Sequence, residues 1–289
     1  MSESFPSLVS TEWLAAHLGE PRLVVLDASH HLPAAKRDPR AEYEGAHIPG
    51  ARFLDLASLT DASSPVPAAL PNAAQLAERL AGLGVGVADD IVIYDDSAVK
   101  TSARAWFMLT AQGIRNVAIL DGGLGKWRAE DRPMESGMQE FASTAAATLS
   151  ECRNVRFKSD MLVNLESCTE QVLDARGADR VYGAGIDPVH GGENGRIPGS
   201  LNLPFGEVFD ADGTYKSPAE LRDVVVAAGI DLDRPVVTTC GSGVTASVLL
   251  FALHLIGKHD TALYDGSWSE WAADPDTPKA QGPEEPATA

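Results

Sequence analysis

A cysteine set between a β-branched run and a glycine-rich turn is the residue in this chain best suited to covalent chemistry. Val236-Val237-Thr238-Thr239 leads into Cys240, Gly241-Ser242-Gly243-Val244-Thr245 follows, and Ala246 through Leu253 continues as an apolar helical stretch. That order predicts a strand, a short loop and a helix N-terminus, with the thiol at the mouth of a ring of backbone N–H groups. Such donors favour thiolate over thiol and hold an anion bound beside it. Gly241 and Gly243 are expected to let the backbone curl at φ values other residues resist, and Ser242 and Thr245 can add hydroxyl donors. The expected chemistry is nucleophilic attack by sulfur, with no metal or organic cofactor.

The rest of the composition narrows the setting. A chain of 289 residues, 44% hydrophobic and 22% charged, is long enough for one large or two medium globular domains. No apolar run approaches the ~20 residues that span a bilayer, and the first residues lack the basic start and apolar stretch of a signal peptide. A cytoplasmic location is expected. The net charge of −18 excludes nucleic acid and anionic membrane surfaces as partners. It also means that a small anionic substrate must be met by local cations. Three cysteines, Cys152, Cys168 and Cys240, are too few and too irregular for a disulfide framework or a Cys-only zinc site. Cys152 and Cys168 are expected to pack rather than react.

The elements that must position Cys240 occur twice along the chain. Strand-like Leu23-Val24-Val25-Leu26-Asp27 pairs in pattern with Val172-Leu173-Asp174, and Ile91-Val92-Ile93-Tyr94-Asp95 with Val236 to Cys240. Likewise Val117 to Trp127 pairs with Ala262 to Trp271, at a period of about 145 residues. Strands alternating with helical stretches predict α/β architecture: two tandem domains, each a mainly parallel central sheet flanked by helices. The expected bounds are 7–134 and 155–273, with 135–154 as a linker and 274–289 as a flexible tail. Where the second copy carries Cys240 the first carries Asp95, which cannot serve as a thiol nucleophile. The first copy is expected to be catalytically silent, a scaffold and one wall of a cleft, with Asp95 capping the helix after it.

These residues resemble the tandem rhodanese family, and within it the 3-mercaptopyruvate sulfurtransferases. The resemblance rests on the Cys240 to Thr245 loop, His47-Ile48-Pro49-Gly50, Arg196-Ile197-Pro198-Gly199 and Asp265-Gly266-Ser267-Trp268-Ser269-Glu270-Trp271, and spans about Ser7 to Ala272. It implies a two-step transfer: Cys240 takes a sulfane sulfur as a persulfide, then passes it to cyanide, a small thiol or a thioredoxin-like acceptor. It also implies that Arg180 holds the anionic end of the donor, since a guanidinium can donate two parallel hydrogen bonds to a carboxylate. Arg176 is expected to be tied to its own loop.

Three departures from the family pattern stand out. A further arginine expected downstream falls where this chain reads Asp187-Pro188-Val189-His190, which makes His190 a candidate for the second carboxylate contact. An Asp and a His assigned to thiol activation align with Ala57 and Ala68, which shifts that task to the loop and helix dipole. Lys100 stands where relatives carry an aromatic residue and is a candidate cation. The rival expectations are a thiosulfate:cyanide sulfurtransferase, disfavoured because no Lys or Arg lies between Cys240 and Thr245, and a persulfide carrier or interaction module without turnover. A phosphatase on the same fold would need a longer loop closing on an arginine.

Overall fold

The computed structural model describes residues 5–282. The chain divides into two compact units. The first takes residues up to Ser63 together with Leu70–Arg153 and Phe209–Lys216, and the second takes Ser64–Ala69, Asn154–Val208 and the chain from Ser217. These bounds differ from those drawn on the sequence, because residues 64–69 and 209–216 each pack with the unit formed by the other half of the chain.

In the first unit, β1 (Leu8–Val9), β2 (Leu23–Asp27), β3 (Arg52–Phe53), β4 (Asp90–Tyr94) and β5 (Val117–Leu120) form a parallel sheet of order β1-β5-β4-β2-β3. Its helices are α1 (Thr11–His17), α2 (Pro39–Gly45), α3 (Ala73–Gly82), α4 (Thr101–Ala111) and α5 (Gly123–Ala129). In the second unit, β6 (Val155–Arg156), β7 (Gln171–Asp174), β8 (Leu201–Asn202), β9 (Val236–Thr239) and β10 (Thr261–Tyr264) take the order β6-β10-β9-β7-β8, again all parallel. Its helices are α6 (Lys158–Ser167), α7 (Ala178–Tyr182), α8 (Pro218–Ala227), α9 (Val244–Leu255) and α10 (Ser267–Ala273). The two orders are the same arrangement repeated.

The central strands β4 and β9 are continuous apolar or β-branched runs with Ile91–Tyr94 and Val236–Thr239 buried, the pattern of strands covered on both faces. Helix α3 shows how local sequence sets the ends. Asn72 Oδ1 accepts from the Gln75 N–H at 3.0 Å and Gln75 Oε1 accepts from the Asn72 N–H at 2.9 Å, a reciprocal cap that leaves Leu76, Ala77, Leu80 and Ala81 facing inward. Helix α9 has no such polar face; Ala246 through Leu253 are all buried. A helix apolar on every side is stable in water only when enclosed, so α9 is a fixed platform for the loop before it. Trp127 anchors the first core and Trp268 with Trp271 the second, all three at most 1% exposed.

The expected linker, 135–154, forms no helix or strand, yet it is tied to the first unit. The Glu135 and His47 N–H groups each donate to the other residue's carbonyl at 2.8 Å, and Ser150 N–H and Arg153 N–H donate to Gln112 O and Ala111 O. The expected loose tail is corrected for 274–282. Trp271 Nε1–H donates to Pro278 O at 2.8 Å, Thr277 is buried, and Arg196 and Ala280 exchange backbone hydrogen bonds. The remainder of that tail lies outside the described residues. Among the described residues, no helix is long and apolar enough to cross a membrane.

Candidate active site

Cys240 follows the last residue of β9 directly, and α9 begins four residues later. Two residues of α10 set the orientation of the intervening peptides. Trp268 N–H donates to Cys240 O at 2.9 Å; Ser269 N–H and Oγ–H donate to Gly241 O at 3.0 and 2.5 Å. In a trans peptide the N–H points opposite to its C=O. With both carbonyls turned toward α10, the N–H groups of Gly241 and Ser242 point away from it. The first N–H groups of α9 have no acceptor one turn earlier and extend the same row of donors. Gly243 caps α9 at φ +79°, a conformation that glycine adopts without steric cost. Gly241 is not in that region; another contact, described below, demands glycine there. Cys240 itself is 2% exposed.

The first unit carries the same architecture around Asp95. Leu124 N–H donates to Asp95 O at 3.0 Å, as Trp268 N–H does to Cys240 O, and Ala28 and Ala175 bond to Tyr94 O and Thr239 O at 2.9 Å each. Asp95 and Cys240 are therefore structural equivalents. The Asp95 carboxylate fills its own loop: Oδ1 accepts from Ser97 N–H at 2.7 Å and Oδ2 from Ser102 N–H at 2.8 Å. Ser102 lies in the first turn of α4, so Asp95 caps that helix as expected. Burial raises the Asp95 pKa against the pull of these donors.

Beside the Cys240 loop lies a chain of charged groups from α7 and the segment after it. Arg180 Nε and Nη2 donate to the two Asp187 oxygens at 3.0 and 2.6 Å, and Nη2 also lies 2.8 Å from His190 Nδ1. Asp187 further accepts from the Val189 and His190 N–H groups at 2.8 and 3.3 Å. Burial alone would raise the Asp187 pKa, but the Arg180 hydrogen bonds and these N–H groups outweigh it and hold the carboxyl below its usual range. Burial, and then the Arg180 charge, hold His190 below the usual imidazole range, with Asp187 pulling the other way. The His190 ring lies on Gly241: a β-carbon built there would overlap Cε1 and Nδ1 and fall 2.6 Å from Nε2. Close approach, not φ, is why Gly241 has no side chain.

Arg180, His190 and the Gly241 side of the Cys240 loop thus come together in the second unit. Arg180 does not present an open fork, since the Nε/Nη2 edge is engaged by Asp187. The Ser242 and Thr245 hydroxyls make no hydrogen bond among the described residues, and Val244 begins α9. Lys100 lies in the first unit, where it caps α4 at φ +53° and its ammonium rests 5.3 Å from the Phe209 ring centroid. Arg176 is held by its own loop, with Nη2 donating to Asp174 Oδ2 and Gly195 O at 2.7 Å each and the guanidinium over Trp268. Cys168 is corrected: it is exposed at the left-handed C-cap of α6 rather than packed.

The sequence reading missed Asp187 and Ser267. Ser267 sits at φ +50° where the first unit has Gly123, and its hydroxyl accepts from Cys240 N–H at 3.3 Å while donating to Tyr264 O at 2.8 Å. A serine facing a glycine across the internal repeat was the available signal.

Both halves match the rhodanese-like domain, over residues 10–130 and 158–274. The chain belongs to the rhodanese family and is an enzyme of the sulfurtransferase type. Among its relatives, 3-mercaptopyruvate sulfurtransferase of Mus musculus is 41% identical over 273 residues, 92% of each chain. Thiosulfate sulfurtransferase of Cricetulus griseus is 36% identical over 287 residues, 96% of each chain. The crystal structure of SseA, a 3-mercaptopyruvate enzyme of Escherichia coli, superimposes with a TM-score of 0.83 at 35% identity, covering 91% of this chain and 99% of that one.

Proposed function

We propose that Cys240 is the nucleophile and that the donor is 3-mercaptopyruvate. The observation that carries this reading is the equivalence of Cys240 with Asp95, whose carboxylate is bound by the N–H groups of its own loop. A loop that seats a carboxylate in one copy suits a thiolate, and then a persulfide anion, in the other. The thiolate attacks the donor sulfur: the S–S bond forms, the C–S bond breaks, and its electron pair passes into an enolate of pyruvate. The hydrogen first borne by that sulfur ends on the enolate carbon, leaving a persulfide anion and pyruvate. A thiol or cyanide then attacks the outer sulfur and releases the Cys240 thiolate, a ping-pong cycle.

Arg180 is the residue for the donor carboxylate, through its Nη1 edge or by exchange with Asp187, and His190 stands beside it. The 3-mercaptopyruvate relative supports this donor, as does the absence of Lys or Arg between Cys240 and Thr245, where a thiosulfate-derived dianion would need cations. Thiosulfate is the second reading, favoured by the hamster relative. Lys100 is assigned to the Asp95 loop. Small thiols, cyanide and thioredoxin-like proteins are the acceptor classes, and a reducing, cytoplasmic setting suits three cysteines outside any disulfide. Steady-state turnover on the two donors tests the choice. A kcat/KM for 3-mercaptopyruvate at least ~10-fold above that for thiosulfate supports the reading, a difference of about 1.4 kcal/mol; the reverse order overturns it.

A further inference from the structure

His190 is a titratable side chain in direct contact with the Cys240 loop, and its surroundings determine what it can do. A guanidinium carries only donors, so the 2.8 Å approach of Arg180 Nη2 to His190 Nδ1 requires a lone pair on Nδ1. The ring proton is therefore on Nε2. To act as a base through Nδ1, the ring would have to break that bond and take up charge facing Arg180, with Arg176 also close. Among the described residues, Asp187 Oδ2, at 3.7 Å from Nδ1, is the only carboxylate oxygen paired with the ring, and it is already engaged by Arg180. Nε2 has no acceptor among the described residues, and the side chain is 20% exposed. An unspent N–H donor thus stands at the rim of the loop, on the α-carbon of the residue next to Cys240.

We propose that His190 is a fixed neutral hydrogen-bond donor, whose Nε2–H polarises the keto oxygen of an α-keto acid sulfur donor as the carbon–sulfur bond breaks. It acts as an electrophile and not as an acid or base. The inference rests on the reading of Cys240 as nucleophile. An α-keto acid presents its carboxylate and keto oxygens side by side, and Arg180 and His190 present their donors side by side. As electrons move from the C–S bond into the enolate, negative charge grows on the keto oxygen, and a prepositioned N–H is worth more there than in the ground state. No proton leaves His190, so the atom balance of the transfer is unchanged. A donor with no keto group gains nothing from this contact.

The test compares single-turnover loading of Cys240 by 3-mercaptopyruvate and by inorganic polysulfide, in wild type, His190→Gln and His190→Leu. Loading by 3-mercaptopyruvate is expected to fall about 100-fold in His190→Leu and within about 10-fold in His190→Gln, which keeps an N–H donor. Polysulfide loading stays within about 2-fold of wild type in both, which also certifies folding. Ring 15N spectra of the wild type show the Nε2–H tautomer at neutral pH, with titration displaced below the ordinary imidazole value. An equal fall for both donors, unchanged 3-mercaptopyruvate loading in His190→Leu, or a wild-type ring titrating near the ordinary imidazole value would overturn the proposal. Wild type that loads no sulfur on Cys240 would instead sink the reading beneath it, and the 15N result would still be read independently.

Discussion

The α-carbon of Gly241 and the imidazole of His190 are in direct apposition, leaving no room between them for a methyl group. The residue after Cys240 therefore fixes where the ring can stand. Gly241→Ala is expected to force the ring outward, breaking the Arg180–His190 contact or displacing the loop. Overpacking of this kind costs about 1–3 kcal/mol. We expect 3-mercaptopyruvate turnover to fall about 100-fold, as for loss of one positioned donor. Replacing His190 by glycine in the Gly241→Ala background should restore the stability but not the rate, which urea unfolding and turnover measure separately.

Asp187 gives the cluster a defined pH response. Its folded-state pKa lies below the ordinary carboxyl value of 3.8, so its stabilising effect is complete above that value. The effect is lost as pH falls through the lower folded value. Asp187→Asn removes the charge at every pH and leaves Arg176 and Arg180 without their shared carboxylate, a loss of about 3 kcal/mol at neutral pH. The difference in urea midpoint between the two proteins should stay constant from pH 8 to 5 and shrink only in stronger acid. A difference that already fades between pH 8 and 6 would contradict the assignment.

The first unit should stay silent even when given a thiol. Asp95→Cys in a Cys240→Ser background places sulfur at the equivalent position, but its loop runs from Asp95 to Lys100 before α4, against Cys240 to Gly243 before α9. The segment after β2 does bring a guanidinium to that loop, but Arg37 is fully engaged there, donating to both Glu42 oxygens and to Asp96 O and Oδ2. Transfer activity should remain at the Cys240→Ser background, about 10⁴-fold or more below wild type. Recovery of even a few per cent would show that the thiol alone is sufficient.

Much of this architecture is legible in the amino-acid sequence because the same signals occur twice. Buried parallel strands are long apolar runs, and Ile91–Tyr94 and Val236–Thr239 announce themselves on that basis alone. The position of Cys240 follows from the strand, the glycines and the apolar helix around it. Asp187 is not legible in that way, because an Asp-Pro pair reads as a turn and only the folded chain brings it against Arg180 seven residues earlier. Ser267 is hidden for another reason. A serine at positive φ runs against local preference, at a cost of about 1–2 kcal/mol, and the hydroxyl bond to Cys240 N–H that offsets it is a tertiary contact. The exchange of residues 64–69 and 209–216 between units likewise leaves no mark in a periodicity that treats each half as contiguous.

The central claim is that one thiol, Cys240, carries the sulfur between donor and acceptor. Its most direct test is the mass of the protein after brief exposure to 3-mercaptopyruvate, followed by peptide mapping without reductant. The account predicts one added sulfur atom on the peptide containing Cys240, removed on addition of a thiol acceptor and absent from Cys240→Ser. Sulfur found on Cys152 or Cys168 with Cys240 unmodified, or full turnover by Cys240→Ser, would contradict it.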